Sequence, residues 1–120
     1  MTVLDASALL AYLQGEAGAD VVEEHLAGGA SCGAATWSEV AQKVLRAGDW
    51  SMARALLLSF EIEVEPVTAT DAEWAARRWV PGEGLSLADR LCLALGARRE
   101  EEILTADRGW GSDERIRQIR

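Results

Sequence analysis

Several residue types are scarce in this sequence, and each scarcity excludes a class of protein or site. The single histidine, His25, excludes catalysis by two histidines that act as acid and base. The single lysine, Lys43, has no glycine-rich loop before it, which excludes a P-loop nucleotide-binding site. No apolar run approaches the roughly 20 residues that a membrane-spanning helix needs. The two cysteines, Cys32 and Cys92, stand in apolar surroundings without a pairing pattern, so we expect free, buried thiols.

The composition is that of one ordinary globular domain. The chain has 120 residues, of which 49% are hydrophobic and 27% charged, and these values exclude disordered and collagen-like proteins. Asp5 interrupts the apolar stretch at the N-terminus, so we expect no signal peptide and a cytoplasmic location. The formal net charge of −8 argues against a protein that coats nucleic acid without regard to sequence.

Hydrophobic periodicity predicts strands that alternate with helices. Glu61–Glu65 alternates between acidic and apolar residues, which indicates a strand with one wet face near an edge of the sheet. Leu87–Arg98 is apolar on several sides, as in a buried helix. The predicted strands are 2–5, 30–35, 61–65, 103–105 and a short fifth at 116–119; the predicted helices are 7–13, 17–27, 36–46, 51–60, 70–80 and 87–98. This order predicts one α/β domain over residues 1–120, with a parallel sheet of four or five strands between helices.

Four acidic residues stand beside the short apolar segments. Asp5 and Asp107 follow the first and fourth predicted strands, and Glu39 and Asp89 lie at the starts of predicted helices. Because strand ends and the following helix starts meet at one edge of a parallel sheet, we expect these carboxylates to converge. A hard dication would relieve their repulsion, and Mg²⁺ or Mn²⁺ suits an all-oxygen site better than Zn²⁺. Acids with a hard metal favour metal-assisted hydrolysis of a phosphodiester.

Each acid also has a purely structural explanation. Three segments fit the capping box, in which an acid accepts a backbone N–H of its own helix. They are Thr36-x-x-Glu39, Ser86-x-x-Asp89 and Thr70-x-x-Glu73, the last of which lies outside the proposed set. Asp5 and Asp107 fit simple N-cap positions. The metal-site hypothesis therefore depends on the four acids together.

Four segments that contain these acids resemble the motifs of PIN-domain ribonucleases, in particular the VapC-type toxins of bacterial toxin–antitoxin pairs. The segments are Val3–Ala11, Ser38–Val40, Leu85–Leu95 and Leu104–Trp110. They occur in the family's order and at compatible spacing, over essentially the whole chain. The resemblance implies a PIN fold, with a parallel five-stranded sheet between helices, and a metal-dependent RNA endonuclease.

The resemblance also implies roles for the acids. Asp5 and Asp89 would bind Mg²⁺ or Mn²⁺ most directly. Glu39 and Asp107 would complete the acidic quartet, through waters or by placing the attacking water. Asp113 stays open as a fifth acid, because the local match to the family is poor.

Further residues and partners follow from the same resemblance. The hydroxyls of Ser7 and Thr105 would orient carboxylates or a phosphate. The family implies a homodimer and a cognate VapB-type antitoxin that blocks the acidic cleft. Several basic side chains near the acids are candidates for RNA phosphates, although for each one taken alone a solvated helix face or an ordinary ion pair is the more common explanation. They are Lys43, Arg46, Arg90 and Arg108.

Two other functions compete with a ribonuclease. A phosphoacceptor receiver domain needs paired acids after its first strand and a lysine near its last strand, whereas this chain has Asp5-Ala6 and only Lys43. The second rival is a non-catalytic PIN-like binding module in which the acids hold no metal. The tryptophans predict core or interface packing, with base stacking by Trp37 or Trp110 as the alternative. The sequence leaves open which RNA is cut and whether one metal or two act.

Overall fold

A five-stranded parallel sheet forms the centre of the computed structural model, which describes residues 1–113 and 115–120. The strands are β1 (Thr2–Leu4), β2 (Ala30–Gly33), β3 (Glu63–Glu65), β4 (Ile103–Thr105) and β5 (Ile116–Gln118). Their order across the sheet is β3-β2-β1-β4-β5, and each neighbouring pair runs parallel. The predicted α/β class and parallel sheet are confirmed, and the sheet has the larger of the two predicted strand numbers.

Helices cover both faces of the sheet. Within the described residues they are α1 (Ala6–Gln14), α2 (Ala19–Gly28), α3 (Ala34–Ala47), α4 (Trp50–Ser59), α5 (Ala69–Arg77), α6 (Leu87–Arg99) and a short 3-10 helix (Arg108–Trp110). Each predicted α-helix is present, with ends displaced by at most three residues. Gly15 ends α1 with a φ of 67°, a left-handed conformation that glycine adopts without strain. None of the described helices combines the length and hydropathy needed to span a membrane.

Strand β3 is the edge strand that the alternating acids predicted. It is shorter than predicted because Glu61 closes helix α4 instead of starting the strand. Glu61 has a φ of 59° and donates its N–H to the carbonyl of Leu58, so extended backbone begins only at Glu63. Arg99 of α6 pairs with Glu65 at 2.6 Å and with Glu63 at 3.5 Å, which ties this edge to the neighbouring helix.

The core lies on both faces of the sheet, because successive strand residues point to opposite sides. Val3 and Leu4 are neighbours in β1, yet they enter different clusters of buried side chains. The predicted free thiols are confirmed within the described residues, since Cys32 and Cys92 are both buried and unpaired. Burial raises the pKa of the Cys32 thiol to about 12, so it behaves as a small apolar side chain.

Helix α6 packs closely against β4 and thereby fixes the two segments that carry Asp89 and Asp107. Residues Cys92–Gly96 are all buried, which confirms the predicted buried helix. A Cβ at Gly96 would overlap the side chain of Ile103, so any larger residue here would force Ile103 to shift at this helix–strand contact. The start of α6 and the end of β4 are therefore held at the same edge of the sheet.

Candidate active site at the acidic edge

We name the carboxyl end of the sheet the acidic edge, after the four acids Asp5, Glu39, Asp89 and Asp107. Asp5 is the most buried of the four. It follows β1 directly and is 4% exposed. Its Oδ1 accepts the N–H of Ala8 at 2.8 Å, so the predicted N-cap of α1 is confirmed. A buried carboxylate on a helix start and a strand end is held in one orientation.

The hydroxyls of Ser7 and Thr105 both contact Asp5. Ser7 Oγ donates to the Asp5 carboxylate at 2.8 and 2.9 Å, and Thr105 Oγ1 donates to Oδ2. Each hydroxyl also accepts a backbone N–H, Ser7 from Ala106 at 2.9 Å and Thr105 from Asp107 at 3.0 Å. These bonds connect α1 to the end of β4 through Asp5. The structure therefore places both hydroxyls where they orient a carboxylate; their effect on activity stays a prediction.

The electrostatics of the site show that three of the acids lie near one another. Burial raises the pKa of Asp5 from 3.8 to about 6; the Thr105, Ala8 and Ser7 donors oppose this rise, and the charge of Asp89 adds to it. Partial burial and the charge of Asp89 also raise the pKa of Glu39. Asp89 thus acts on Asp5 and on Glu39, and the three carboxylates share one negative potential.

Asp89 is half-buried in the first turn of α6, where the predicted capping box is confirmed. Its N–H donates to Ser86 Oγ at 3.0 Å, and its Oδ2 accepts the N–H of Ser86 at 3.0 Å. Among the hydrogen bonds of the described residues, the other carboxylate oxygen, Oδ1, has no partner. The capping role of Asp89 therefore leaves one oxygen available to a ligand.

The capping boxes predicted for segments 36–39 and 70–73 are wrong. Helix α3 begins two residues earlier than predicted, directly after Gly33, so Glu39 lies in the second turn and caps nothing. In α5 the capping box is formed by Thr68 and Asp71, two residues before the predicted pair. The structural explanation for Glu39 is thereby removed, and its half-buried carboxylate faces the charge of Asp89.

The backbone of Asp107 lies at the acidic edge, but its side chain binds within its own loop. Its exposed side chain accepts the N–H of Gly109 at 2.8 Å, which confirms the predicted N-cap, here of the 3-10 helix. Gln118 of β5 donates to the carbonyls of Asp107 at 2.9 Å and Gly111 at 2.8 Å, and so holds this loop. Sequence reasoning missed Gln118, because a polar residue in a short strand carries no local signal of such a role.

The oxygen atoms of the four acids suit a hard cation, but their side chains are not arranged around a metal position. Within the described residues, no group of three or more His, Cys, Asp or Glu side chains is arranged to hold a metal ion. The donors are nevertheless all oxygens, and among the described residues no salt bridge reaches Asp5, Glu39 or Asp89. The predicted convergence thus holds electrostatically for Asp5, Glu39 and Asp89, while the Asp107 carboxylate turns to its own loop.

The candidate RNA-binding residues differ in their relation to the acids. Lys43 is exposed one turn after Glu39, and its charge lowers the pKa of that acid. Arg46 is exposed in the last turn of α3, and Arg108 is exposed in the 3-10 helix, with one guanidinium nitrogen 3.5 Å from the last backbone carbonyl. Arg90 is half-buried and donates to a carbonyl of α5 at 2.7 Å, which braces α6 against α5. Lys43 is the base placed best for a phosphate at the acids.

Asp113 lies apart from the acidic edge. It is exposed, accepts the N–H of Arg115 at 3.3 Å, and adds its charge to the surroundings of Arg78. Both arginines and Asp113 line a cavity on the α5–α6 side of the sheet. No local pattern in the sequence signals this cavity, because its walls come from four separate segments.

The protein is an α/β protein with a parallel sheet in this strand order. Its acidic edge lies at the carboxyl ends of the strands, where ligands bind in open α/β sheets. The family model of the PIN domain matches residues 2–112. The chain therefore belongs to the PIN-domain family. A comparison with curated proteins finds no match.

Solved structures with the same fold include components of toxin–antitoxin systems. A toxin–antitoxin complex from Klebsiella pneumoniae has a TM-score of 0.80 at 18% identity and covers 100% of this chain and 98% of its own. VapC20 of Mycobacterium tuberculosis, a toxin that cleaves the sarcin–ricin loop, has a TM-score of 0.71 at 19% identity, with 90% and 91% covered. VapBC2 of Rickettsia felis, bound to a promoter DNA fragment, has a TM-score of 0.72 at 13% identity, with 98% and 97% covered. At these identities the likeness shows the shared fold.

Proposed function

We propose that this protein is an endoribonuclease, the toxin of a toxin–antitoxin pair, which hydrolyses RNA phosphodiester bonds with Mg²⁺ or Mn²⁺. The observation that carries the proposal is the Asp5 carboxylate, which is buried, fixed by neutral donors, set near Asp89 and without a salt bridge among the described residues. Membership of the PIN-domain family supports a nuclease, and the toxin structures that share the fold support this class of nuclease.

The acids have unequal roles in this proposal. Asp5 and Asp89 would hold the metal directly, and Glu39 and Asp107 would complete the site. When bound, the ion lowers the pKa of the attacking water and neutralises charge on the phosphate. Glu39 is half-buried and free of capping, and burial raises its pKa, so we assign it the proton released by that water.

Neutral and basic side chains support the acids. Ser7 and Thr105 fix the direction of the Asp5 oxygens, and Thr105 also accepts the backbone N–H of Asp107, so one hydroxyl contacts the carboxylate of one acid and the backbone of another. Lys43 is the first candidate for an RNA phosphate. The other three candidates are Arg46, Arg108 and Arg90, in decreasing order of their freedom to reach a ligand.

Replacement of Asp89 tests the nuclease proposal. We expect Asp89→Asn to reduce metal-dependent cleavage of total RNA on the order of 10²- to 10⁴-fold, because the oxygen left open by the capping box would lose its charge. The matched control is Asp49→Asn, which alters an exposed N-cap on α4, where Asp49 accepts the N–H of Met52. A fully active Asp89→Asn protein would refute the mechanism.

The partners belong to the same proposal. We expect a homodimer, a VapB-type antitoxin that blocks the acidic edge, and a cytoplasmic location. The complexes from Klebsiella pneumoniae and Rickettsia felis, which share the fold, support an antitoxin partner. Co-expression with the product of a neighbouring small reading frame tests this part: we expect a complex that purifies together and no longer cleaves RNA. Continued cleavage by a saturated complex would contradict it.

A non-catalytic binding module is the second candidate function. It is favoured by one observation, namely that no described set of three acids is arranged around a metal position. Titration calorimetry with Mn²⁺ separates the two functions, because the nuclease requires metal binding that Asp5→Asn weakens. The receiver-domain alternative finds no support, since the only lysine lies on α3.

A further inference from the structure

A cavity of about 370 Å³ opens on the α5–α6 side of the sheet. Trp74 of α5 and Trp110 of the 3-10 helix line it, together with the aliphatic residues Leu93 and Ile103. Its volume falls within the range of about 300–1,000 Å³ that is typical of small-molecule sites. The cavity is therefore large enough for one flat heterocycle.

The segments that carry two of the acids also form walls of the cavity. Asp89, Leu93 and Ala97 are spaced by four residues and lie on one face of α6. Leu93 is one helical turn beyond Asp89, a rise of about 6 Å, which a single nucleotide can span. At the other wall, Gly109 lines the cavity and donates its N–H to Asp107. A chain bound at the acids would reach the cavity with its neighbouring nucleotide.

The polar groups of the cavity suit the edge and the face of a nucleobase. Glu83 accepts two hydrogen bonds from Arg78, at 2.6 and 3.0 Å, which fixes the guanidinium plane at the cavity wall. Asp113 offers an acceptor to an exocyclic amine. Trp110 is only 9% exposed, and its indole N–H has no hydrogen-bond acceptor among the described residues. The cavity thus offers aromatic faces, a guanidinium plane and hydrogen-bonding groups.

We propose that this cavity receives one unpaired base of the RNA substrate, beside the phosphate held at the acidic edge. Unpaired bases stack on tryptophan and arginine planes and are read along their hydrogen-bonding edges. An apolar peptide side chain would fill the same volume but would use neither the guanidinium plane of Arg78 nor the carboxylate of Asp113. The inference rests on the proposed nuclease function and names its substrate class, which is RNA with a base free of pairing at the cleavage site.

Nucleotide binding to the metal-free, full-length protein tests the proposal. The four ribonucleoside 5′-monophosphates are titrated to millimolar concentration in the presence of EDTA, and the indole N–H signals are followed by NMR. We expect the signals of Trp74 and Trp110 to shift. The signal of Trp79, which is 58% exposed and not part of the cavity wall, is expected to stay in place.

Two variants and one control sharpen this titration. We expect Trp74→Leu to weaken nucleotide binding on the order of 10-fold, because a stacking face is lost. Arg78→Met removes a second plane from the cavity wall, and it serves where Trp74→Leu fails to fold. Trp79→Leu is the matched control and should leave the affinity unchanged. Absence of shifts at Trp74 and Trp110, or shifts produced only by a protein partner, would overturn the proposal.

The base site and the nuclease function can fail separately. Nucleotide binding in EDTA requires no cleavage, so a positive titration supports the base site even where no RNA is cut. RNA oligonucleotides with an abasic residue next to the cleavage site provide the reverse arrangement. Unchanged cleavage of the abasic RNA would overturn the base site and leave the nuclease function intact.

Discussion

Asp5 and Asp71 are two buried carboxylates that the protein treats in opposite ways. Each is 4% exposed, and each accepts a backbone N–H at the start of a helix. Asp71 also receives the guanidinium of Arg98, at 2.9 and 3.2 Å. Asp5 receives only hydroxyl and amide donors, so its charge is solvated by neutral groups.

The pKa values of the two acids move in opposite directions for this reason. Burial raises the pKa of Asp5 to about 6, because its neutral donors compensate only part of the lost hydration. Burial acts on Asp71 as well, but the hydrogen bonds from Arg98 and Thr68 bring its pKa below the ordinary value of 3.8. A guanidinium accompanies the acid that has a structural role. None accompanies the acid that we assign to a metal.

The same contrast extends to groups of acids. Arg99 compensates Glu63, Glu65 and Glu101 at distances of 3.5, 2.6 and 3.0 Å. Among the described residues, no salt bridge reaches the acids near Asp5. The carboxylates at the acidic edge therefore lack the guanidinium partners that Asp71 and the three acids around Arg99 have, and a cation from solution would meet little competition there from the protein's own bases.

The largest expected effect on RNA cleavage comes from neutralising Asp5, and neutralising Asp71 provides the comparison. Asp5→Asn should reduce RNA cleavage on the order of 10²- to 10⁴-fold and leave the fold intact, because asparagine is also a good N-cap. Asp71→Asn should retain cleavage and lower the free energy of unfolding by about 1–2 kcal/mol, since half of a partly exposed ion pair is lost. Cleavage rates and urea unfolding on the same samples check both.

The contrast between Asp5 and Asp71 is refuted if Asp5→Asn and Asp71→Asn behave alike. An Asp71→Asn protein that is folded and inactive would show that uncompensated charge does not mark the site. An Asp5→Asn protein that is unfolded would show that Asp5 is held for structural reasons.

The pH dependence of stability should have opposite signs for the two acids. The folded-state pKa of Asp5 is about 6, above the ordinary 3.8, so the folded state binds the proton more tightly than the unfolded state. Its contribution to the free energy of unfolding should therefore fall as pH rises from 4 to 6, by up to about 3 kcal/mol. The lowered pKa of Asp71 gives the reverse: stability is present above 3.8 and is lost as pH falls through its folded-state value.

Urea unfolding in EDTA between pH 4 and pH 7 measures this difference. Asp5→Asn should be more stable than the unmodified protein near neutral pH, and the gain should shrink toward pH 4. A gain that is independent of pH would mean that the asparagine acts through packing rather than through the charge.

The sequence was sufficient to predict where the acids lie relative to the sheet. It was less informative about the contacts that each acid makes. Strands followed by Asp5 and Asp107 place both acids at the carboxyl ends of a parallel sheet, whatever the details of packing. The capping box predicted at Glu39 is wrong because β2 ends at Gly33, which starts α3 early without a side-chain cap. Residues distant in sequence decide the rest: Arg98 neutralises Asp71, and Gln118 holds the Asp107 loop.

A smaller effect is expected when one of the neutral donors around Asp5 is removed. These donors stand where Asp71 has a guanidinium. Thr105→Val removes the hydroxyl that donates to Asp5 and accepts the N–H of Asp107. Loss of such a supporting contact typically costs about 10- to 100-fold in activity or metal affinity. We expect a loss of this size in both Mn²⁺ affinity and cleavage. Thr105→Ser restores the hydroxyl and should recover most of both, whereas equal losses in the two variants would indicate a packing effect.

The smallest expected effect concerns the one base that stands beside the uncompensated acids. Lys43 is exposed and acts on Glu39 by charge, without an ion pair among the described residues, so its ammonium is available to a phosphate. Lys43→Ala, measured in the Asp5→Asn background, should weaken binding of single-stranded RNA a few-fold and reduce the salt dependence of log K by about 0.7. Arg54→Ala, at an exposed arginine of α4 outside the candidate set, is the control. If Lys43→Ala changes neither the affinity nor its salt dependence, RNA binding must depend on bases farther from the acids, and the contrast between compensated and uncompensated carboxylates would concern the metal alone.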